Sequence, residues 1–166
     1  NEFVDKTGIP VKIIGDESMD YSIFKVFHKR KFIKGPTGAP CTMILKKNVR
    51  KDYQRHGDIQ IFGYTIDEMS RVNRFIDSNN EVDTDFILVD KSITKPDCMR
   101  WFSRMGFTLP EMYRLGYANN NCIGCVKGGM GYFNAIRVDF PEAFNKLAKL
   151  ERDIGHAINK DKDGPV

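Results

Sequence analysis

Asp58-Ile59-Gln60-Ile61-Phe62-Gly63 is the stretch that decides the predicted fold, because an apolar run closes there on a glycine. Beyond the glycine, apolar residues recur at the spacing of one helix face, at Ile66, Met69, Val72, Phe75 and Ile76. A strand that turns directly into a helix is the building unit of α/β proteins. We therefore predict a buried strand, a tight turn at Gly63 and an amphipathic helix.

The same pattern recurs on both sides of this stretch. Gly8–Gly15 and Phe86–Val89 are short apolar runs, and we expect each to form a further buried strand. Short strands that alternate with helices favour a mostly parallel sheet. The predicted fold class is therefore α/β, a Rossmann-like parallel sheet flanked by helices, in a single domain spanning residues 1–166.

Two helices have clear start signals. Thr94 can cap a helix that has Pro96 in its first turn and Asp97 at the capping-box position. The last helix is expected to begin near Pro141, because proline suits the first helical turn. The polar tail from Lys160 onward is expected to fray.

The bulk properties exclude several classes of protein. The chain has 166 residues, 41% of them hydrophobic and 29% charged, which is typical of a globular domain and not of a disordered chain. No apolar run is long enough to span a bilayer and no export signal opens the chain, so we predict a cytoplasmic protein with no membrane partner. The net charge of +4 permits an anionic ligand or a nucleic acid without requiring either.

The turn after Gly63 is one candidate binding site. Ligands of parallel sheets sit beyond the carboxyl ends of the strands, and backbone N–H groups at a helix start attract anions. Gly63, Glu68 and Arg71 are therefore candidate nucleotide-binding residues. The alternative is purely structural, with Asp67 and Glu68 capping the helix and Arg71 paired to one of them.

A second candidate is the basic segment that follows Pro40. A loop rich in glycine and proline leads into Cys41-Thr42-Met43-Ile44-Leu45-Lys46-Lys47. Lys46 and Lys47 would neutralise a phosphate or sulfate group through charge-assisted hydrogen bonds. A solvated basic helix face is the alternative interpretation.

Four cysteines supply the third candidate. Cys122 and Cys125 are separated by two residues, a spacing that lets two thiolates grip one metal or form a redox pair. The glycines that follow them lack the lysine-serine or lysine-threonine ending of a P-loop. Cys98 lies on an apolar stripe with Trp101 and is expected to be a packed core thiol.

Taken in order, these segments resemble the phosphoadenylylsulfate (PAPS) reductase family of adenine nucleotide alpha-hydrolase-like proteins, most closely its short phage and bacterial members. The segments are Cys41-Thr42, Leu45-Lys46, the Gly63…Asp67-Glu68…Arg71 turn, Trp101, Gly106, Gly116, Cys122–Cys125 and Phe140-Pro141-Glu142. The resemblance covers residues 3–155.

The resemblance implies an iron–sulfur cluster or a zinc ion held by cysteines. In the iron–sulfur members, a cysteine pair precedes a distant Cys-x-x-Cys, and the four thiolates hold a four-iron four-sulfur cluster near the substrate. Here eighty residues lie between Cys41 and Cys122, and Pro40 stands where the first cysteine of the pair would be. Cys41, Cys122 and Cys125 are therefore the expected metal ligands, with one ligand of the family's set missing.

Two other departures bear on the reaction that the resemblance implies. The family's first strand and its phosphate-gripping loop, of the Ser-Gly-Gly-x-Asp-Ser type, would lie upstream of Asn1. No cysteine follows Cys125, whereas the true reductases attack sulfur with a cysteine near their C-terminus. The resemblance thus implies a ligand class without assigning a catalytic residue.

The expected ligand is an adenine nucleotide or a sulfonucleotide, and the expected chemistry is reduction or transfer of an activated sulfur. A thiol reductant protein is an expected partner. Two alternatives stay open, an ATP-using enzyme that thiolates a nucleic acid and a degenerate member that binds a nucleotide without turnover. Bound iron or zinc favours an enzyme, and nucleotide binding without metal favours the degenerate member.

Overall fold

The computed structural model describes residues 2–161, 164 and 165, and they form two compact units. The first unit comprises the chain up to Val11 together with Gln54–Asn119, and the second comprises Lys12–Tyr53 and the chain from Asn120 onward. Whether the two units work as one domain stays a prediction. Within the described residues, no helix has both the length and the apolar character needed to cross a bilayer.

Most of the structure is helical. The α-helices, in chain order, are α1 (Glu2–Thr7), α2 (Ile23–Arg30), α3 (Pro40–Thr42), α4 (Val49–Tyr53), α5 (Met69–Ser78), α6 (Ile87–Asp90), α7 (Lys95–Arg104), α8 (Glu111–Arg114), α9 (Met130–Asp139) and α10 (Pro141–Ile154). Short 3-10 turns lie at Glu17–Met19 and Ile66–Glu68, and a π-helical segment, Met43–Asn48, joins α3 to α4.

Strands are few and short among the described residues. The parallel pair is β1 (Gln60–Ile61) with β2 (Thr84–Asp85), and the antiparallel pair is β3 (Lys160–Asp161) with β4 (Gly164–Pro165). The tail that was expected to fray therefore forms a small hairpin where it is described, and positions 162, 163 and 166 lie outside the described residues.

The predicted fold class, a mostly parallel sheet flanked by helices, is wrong for this structure. Of the Asp58–Gly63 run, only Gln60 and Ile61 form a strand. The Phe86–Val89 run opens a helix instead, because Val89 N–H donates to Phe86 O at 2.8 Å. A four-residue apolar run carries too little periodicity to separate a buried strand from a helical turn.

The predicted strand at Gly8–Gly15 is also wrong. No strand forms between these glycines, and Ile13 is 88% exposed. A strand needs a neighbour to take its backbone hydrogen bonds, and sequence composition does not supply that neighbour. The apolar side chains of this segment therefore stand at the surface instead of forming a core.

The helix predicted after Thr94 is confirmed as α7. Thr94 N–H donates to Asp97 Oδ2 at 3.0 Å, and Asp97 N–H donates to Thr94 Oγ1 at 3.3 Å, which together form a capping box. The prediction of a core face is wrong, because Trp101 is 62% exposed and Cys98 is only half-buried. The helix predicted near Pro141 is confirmed as α10.

The first unit has an aromatic cluster beside its parallel strand pair. Phe62 N–H donates to Asp85 O at 3.0 Å, which continues the pairing of β1 and β2 by one step. The Phe62 ring lies 4.5 Å from the Phe75 ring and 6.0 Å from the Phe86 ring, centroid to centroid. This cluster holds α5 against the strands, and the Gly63 turn lies at its edge.

The second unit has the larger core. Its most deeply buried side chains are Val26, Phe27, Ile33, Ile136, Leu147 and Leu150. Each apolar side chain of this size contributes about 1.5–3 kcal/mol when it is fully removed from water. This core packs α2, α9 and α10 together, and the segments that carry three of the four cysteines lie at its rim.

Candidate functional site

The Cys122–Cys125 segment forms a tight turn in the second unit. Cys125 N–H donates to Cys122 O at 2.9 Å, so the two cysteines stand at the ends of one hydrogen-bonded turn. Gly124 has a φ of +71°, a left-handed conformation that glycine adopts without steric cost. Cys122 is exposed, Cys125 is half-buried, and both are free thiols.

Tyr132 fixes this turn from the first turn of α9. Its hydroxyl donates to Cys122 O at 2.8 Å and accepts from Cys125 N–H at 3.1 Å. Burial raises the pKa of the Tyr132 hydroxyl, so it keeps the proton that it donates. The ring lies on Gly128, where a Cβ atom would overlap it. Tyr132 is not among the residues predicted from the sequence, where its signal is a tyrosine shortly after a glycine-rich segment.

Replacing Tyr132 by phenylalanine should destabilise the chain by about 1–3 kcal/mol, because two backbone groups of the turn lose their shared partner. Urea unfolding followed by circular dichroism measures this difference. Tyr53→Phe is the matched control, since Tyr53 lies in the same unit and is 50% exposed. Equal unfolding midpoints for the two variants would show that Tyr132 does not hold the turn.

Cys41 lies in the first turn of α3, directly after Pro40. Proline suits this position because its ring fixes a helical φ and the missing N–H would have no partner. The half-buried Cys41 side chain packs against the rim of the core of the second unit. The π-helical segment begins two residues later, and such segments occur often at functional sites.

The core brings Cys41 and the Cys122–Cys125 turn into one neighbourhood. Ala39 and Ile44, which flank Cys41, and Val126, which follows Cys125, are buried in the same hydrophobic cluster. Pro40 and Thr42 also share a cavity wall with Lys127. Burial raises the pKa of the Cys41 thiol, the electrostatic interaction with Cys125 raises it further, and the Lys127 ammonium opposes the rise.

The metal-free chain should show this shift as delayed alkylation of Cys41. Because the folded state favours the neutral thiol, its reaction with iodoacetamide should rise with pH through a midpoint above the ordinary value of 9.0. The stabilisation of the folded state that comes from the raised pKa of Cys41 is fully present below the ordinary thiol pKa. It is lost as the pH rises through the raised pKa. Mass spectrometry of the alkylated Cys41 peptide measures the midpoint. The urea-unfolded chain is the control, and identical midpoints in both states would contradict the shift.

The thiols do not form a preassembled site for a single ion. Among the residues that the structure describes, no group of three or more His, Cys, Asp and Glu side chains is arranged to hold a metal ion. The structure therefore gathers Cys41 and the Cys122–Cys125 turn in one neighbourhood without converging them on one point. Cys98 lies in the first unit.

The two predicted lysines both lie on the π-helical segment of the second unit. Lys46 and Lys47 are exposed, and Lys47 lines the same cavity as Lys127. Lys127 is not among the site residues predicted from the sequence. Its position two residues after Cys125 is the signal that would have brought it into the candidate set.

The predicted nucleotide-binding turn lies in the first unit. Arg71 pairs with Glu68, and its guanidinium lies 4.8 Å from the centre of the Tyr64 ring. Glu68 also accepts from Thr65 N–H at 3.4 Å, in a capping box. A Cβ atom at Gly63 would meet no atom within 4 Å. These contacts are those of the structural alternative, and the binding role of Gly63, Glu68 and Arg71 stays a prediction.

Comparisons with known proteins do not extend this picture. No family model, no curated protein and no solved structure matches the chain. The resemblance to the PAPS reductase family therefore stays a prediction that rests on the quoted residues alone.

Proposed function

We propose that this chain is a PAPS reductase-like protein that acts in sulfur chemistry through a thiolate centre in its second unit. The centre comprises Cys41, Cys122 and Cys125. One observation carries the proposal: the segments around Cys41 and Cys125 share a buried cluster and border one cavity, although eighty residues separate Cys41 from Cys122. A cytoplasmic setting belongs to the proposal, since a reducing compartment keeps such thiols free.

An iron–sulfur cluster fits these donors better than a single zinc ion does. Zinc requires every sulfur to lie about 2.3 Å from one atom, and the described residues hold no such group of three. A cluster offers each thiolate a separate iron, so its ligands do not have to meet at one point. Because the proposed centre contains three cysteines, a bound cluster would leave one iron open to a sulfur-bearing ligand.

The residues of the chain have distinct roles in this centre. The Tyr132 hydroxyl fixes the backbone at both ends of the Cys122–Cys125 turn. The buried Val126 side chain anchors the turn to the core. The Lys127 ammonium favours the thiolate form of Cys41, which is the form that binds metal.

The nucleotide is the less constrained part of the proposal. Lys46 and Lys47 would bind the anionic part of an adenine nucleotide or sulfonucleotide, and they belong to the unit that holds the cysteines. Gly63, Glu68 and Arg71 form a separate candidate site for the same ligand class within the first unit. A thiol reductant protein would be the electron source for a reductive reaction.

A second candidate function is dithiol–disulfide exchange by Cys122 and Cys125 without metal. One observation favours it: the two thiols flank a single hydrogen-bonded turn, with one exposed and the other half-buried. An exposed thiol is the one that a substrate disulfide can reach. In this case Cys41 would take no part in the exchange.

Anaerobic purification followed by iron, zinc and acid-labile sulfide analysis tests the proposal. We expect iron and sulfide to be retained after gel filtration of the reconstituted chain. A metal-free chain with a reversible Cys122–Cys125 disulfide would replace the proposal with the second candidate. A metal-free chain with no such disulfide would contradict both.

A further inference from the structure

A cavity of about 390 Å³ lies beside the cysteine centre in the second unit. Its volume lies within the range of small-molecule sites. The wall combines two lysines, two threonines and exposed apolar side chains, and the residues used below are Phe32, Met43, Thr37, Thr42, Lys47 and Lys127. The cavity is thus formed by the two segments that carry Cys41 and Cys125.

Two positive charges without carboxylate partners line this cavity. Lys47 and Lys127 are both exposed. In the part of the chain that the structure describes, neither forms an ion pair with Asp or Glu. Two like charges on one cavity wall repel each other, and an anion between them removes this repulsion. The electrostatics of the cavity therefore favour a doubly charged anion over a neutral ligand.

The rest of the cavity wall favours an anion that carries an apolar organic group. Phe32 is 39% exposed and Met43 is 49% exposed, so both offer apolar surface that a ligand would cover. The Thr37 and Thr42 hydroxyls can donate to oxyanion oxygens. A bare inorganic ion would leave the apolar part of the wall in water.

We infer that this cavity binds a small organic phosphate or sulfate ester, with its oxyanion between Lys47 and Lys127 and its apolar body on Phe32 and Met43. The inference deepens the proposed function, on which it rests for the ester's role as substrate. The binding itself requires only the cavity and its charges.

Isothermal titration calorimetry with phenyl phosphate tests the inference. We expect Lys127→Ala and Lys47→Ala each to weaken phenyl phosphate binding by about tenfold or more, because each removes one charge-assisted contact. Lys149→Ala is the matched control, since Lys149 is exposed in the same unit and lines none of the cavities described. Lys127→Arg should keep most of the affinity, because it keeps the charge.

Several outcomes would overturn the inference. Equal phenyl phosphate affinities for Lys127→Ala and Lys149→Ala would contradict an oxyanion site at Lys127. If inorganic phosphate bound as tightly as phenyl phosphate, the inferred contact between the apolar part of the ligand and the cavity wall would be contradicted. If the wild-type chain bound no phenyl phosphate, both the oxyanion site and the apolar contact would be contradicted.

The metal content of the same protein preparations tests the cysteine centre independently of the cavity. Lys47→Ala should keep the metal content of the wild type while losing phenyl phosphate affinity, because Lys47 lines the cavity and has no role in the cysteine centre. Phenyl phosphate binding by a metal-free chain would support the cavity and count against the cysteine centre. Metal retention without phenyl phosphate binding would support the cysteine centre and count against the cavity.

Discussion

Cys41→Ser, Cys122→Ser and Cys125→Ser should each lose nearly all of the bound iron or zinc, whereas Cys98→Ser should keep the wild-type amount. A serine hydroxyl stays protonated at neutral pH and replaces a thiolate ligand poorly. Cys98 lies in the first unit, outside the proposed centre. The expected difference between the three variants and the control is therefore close to all or none.

The measurement is metal and acid-labile sulfide per chain after anaerobic reconstitution and gel filtration. Circular dichroism of each variant in the metal-free state shows whether it still folds, so that loss of metal is not confused with loss of structure. Retention of the full metal content by Cys41→Ser would exclude a shared centre. It would leave Cys122 and Cys125 as the only cysteine ligands in the second unit.

Gly124→Ala should destabilise the folded chain by about 2–5 kcal/mol, because two costs combine at this position. The φ of +71° places any Cβ in the left-handed region, which costs roughly 1–2 kcal/mol for a non-glycine residue. A Cβ at this position would also overlap Leu147 Cδ1. Leu147 is 2% exposed and cannot move aside freely, so the crowding adds roughly 1–3 kcal/mol.

Gly131→Ala is the matched control for this variant. Gly131 lies in α9, and a Cβ there would meet no atom within 4 Å. Alanine is preferred to glycine inside a helix, so this variant should be more stable than the wild type by up to about 1 kcal/mol. Urea unfolding of both variants gives the two free energies. A Gly124→Ala chain that unfolds at the wild-type midpoint would contradict the packing of this turn on Leu147.

Local signals in the sequence determined the helices that carry their own caps. Thr94, Pro96 and Asp97 predict the start of α7, and Pro141 predicts the start of α10, because capping and proline geometry depend only on neighbouring residues. The Cys122–Cys125 spacing likewise places two thiols within four residues, and the structure closes a hydrogen-bonded turn between them.

Elements that depend on distant partners could not be predicted from local sequence. The apolar runs at Gly8–Gly15 and Phe86–Val89 favour strands in isolation, yet a strand exists only where another segment takes its hydrogen bonds. The apolar stripe of α7 predicts a core face, but Trp101 faces solvent. In each case local composition was compatible with more than one environment.

The sequence by itself determined which residues are available for chemistry: three cysteines, a tight turn and a basic segment. Only the tertiary structure decided which of them meet. The burial of Ala39, Ile44 and Val126 in one cluster brings the Cys41 helix and the Cys125 turn to the same cavity. Burial of apolar surface is nondirectional and joins segments that are far apart in sequence, so no local pattern encodes this contact.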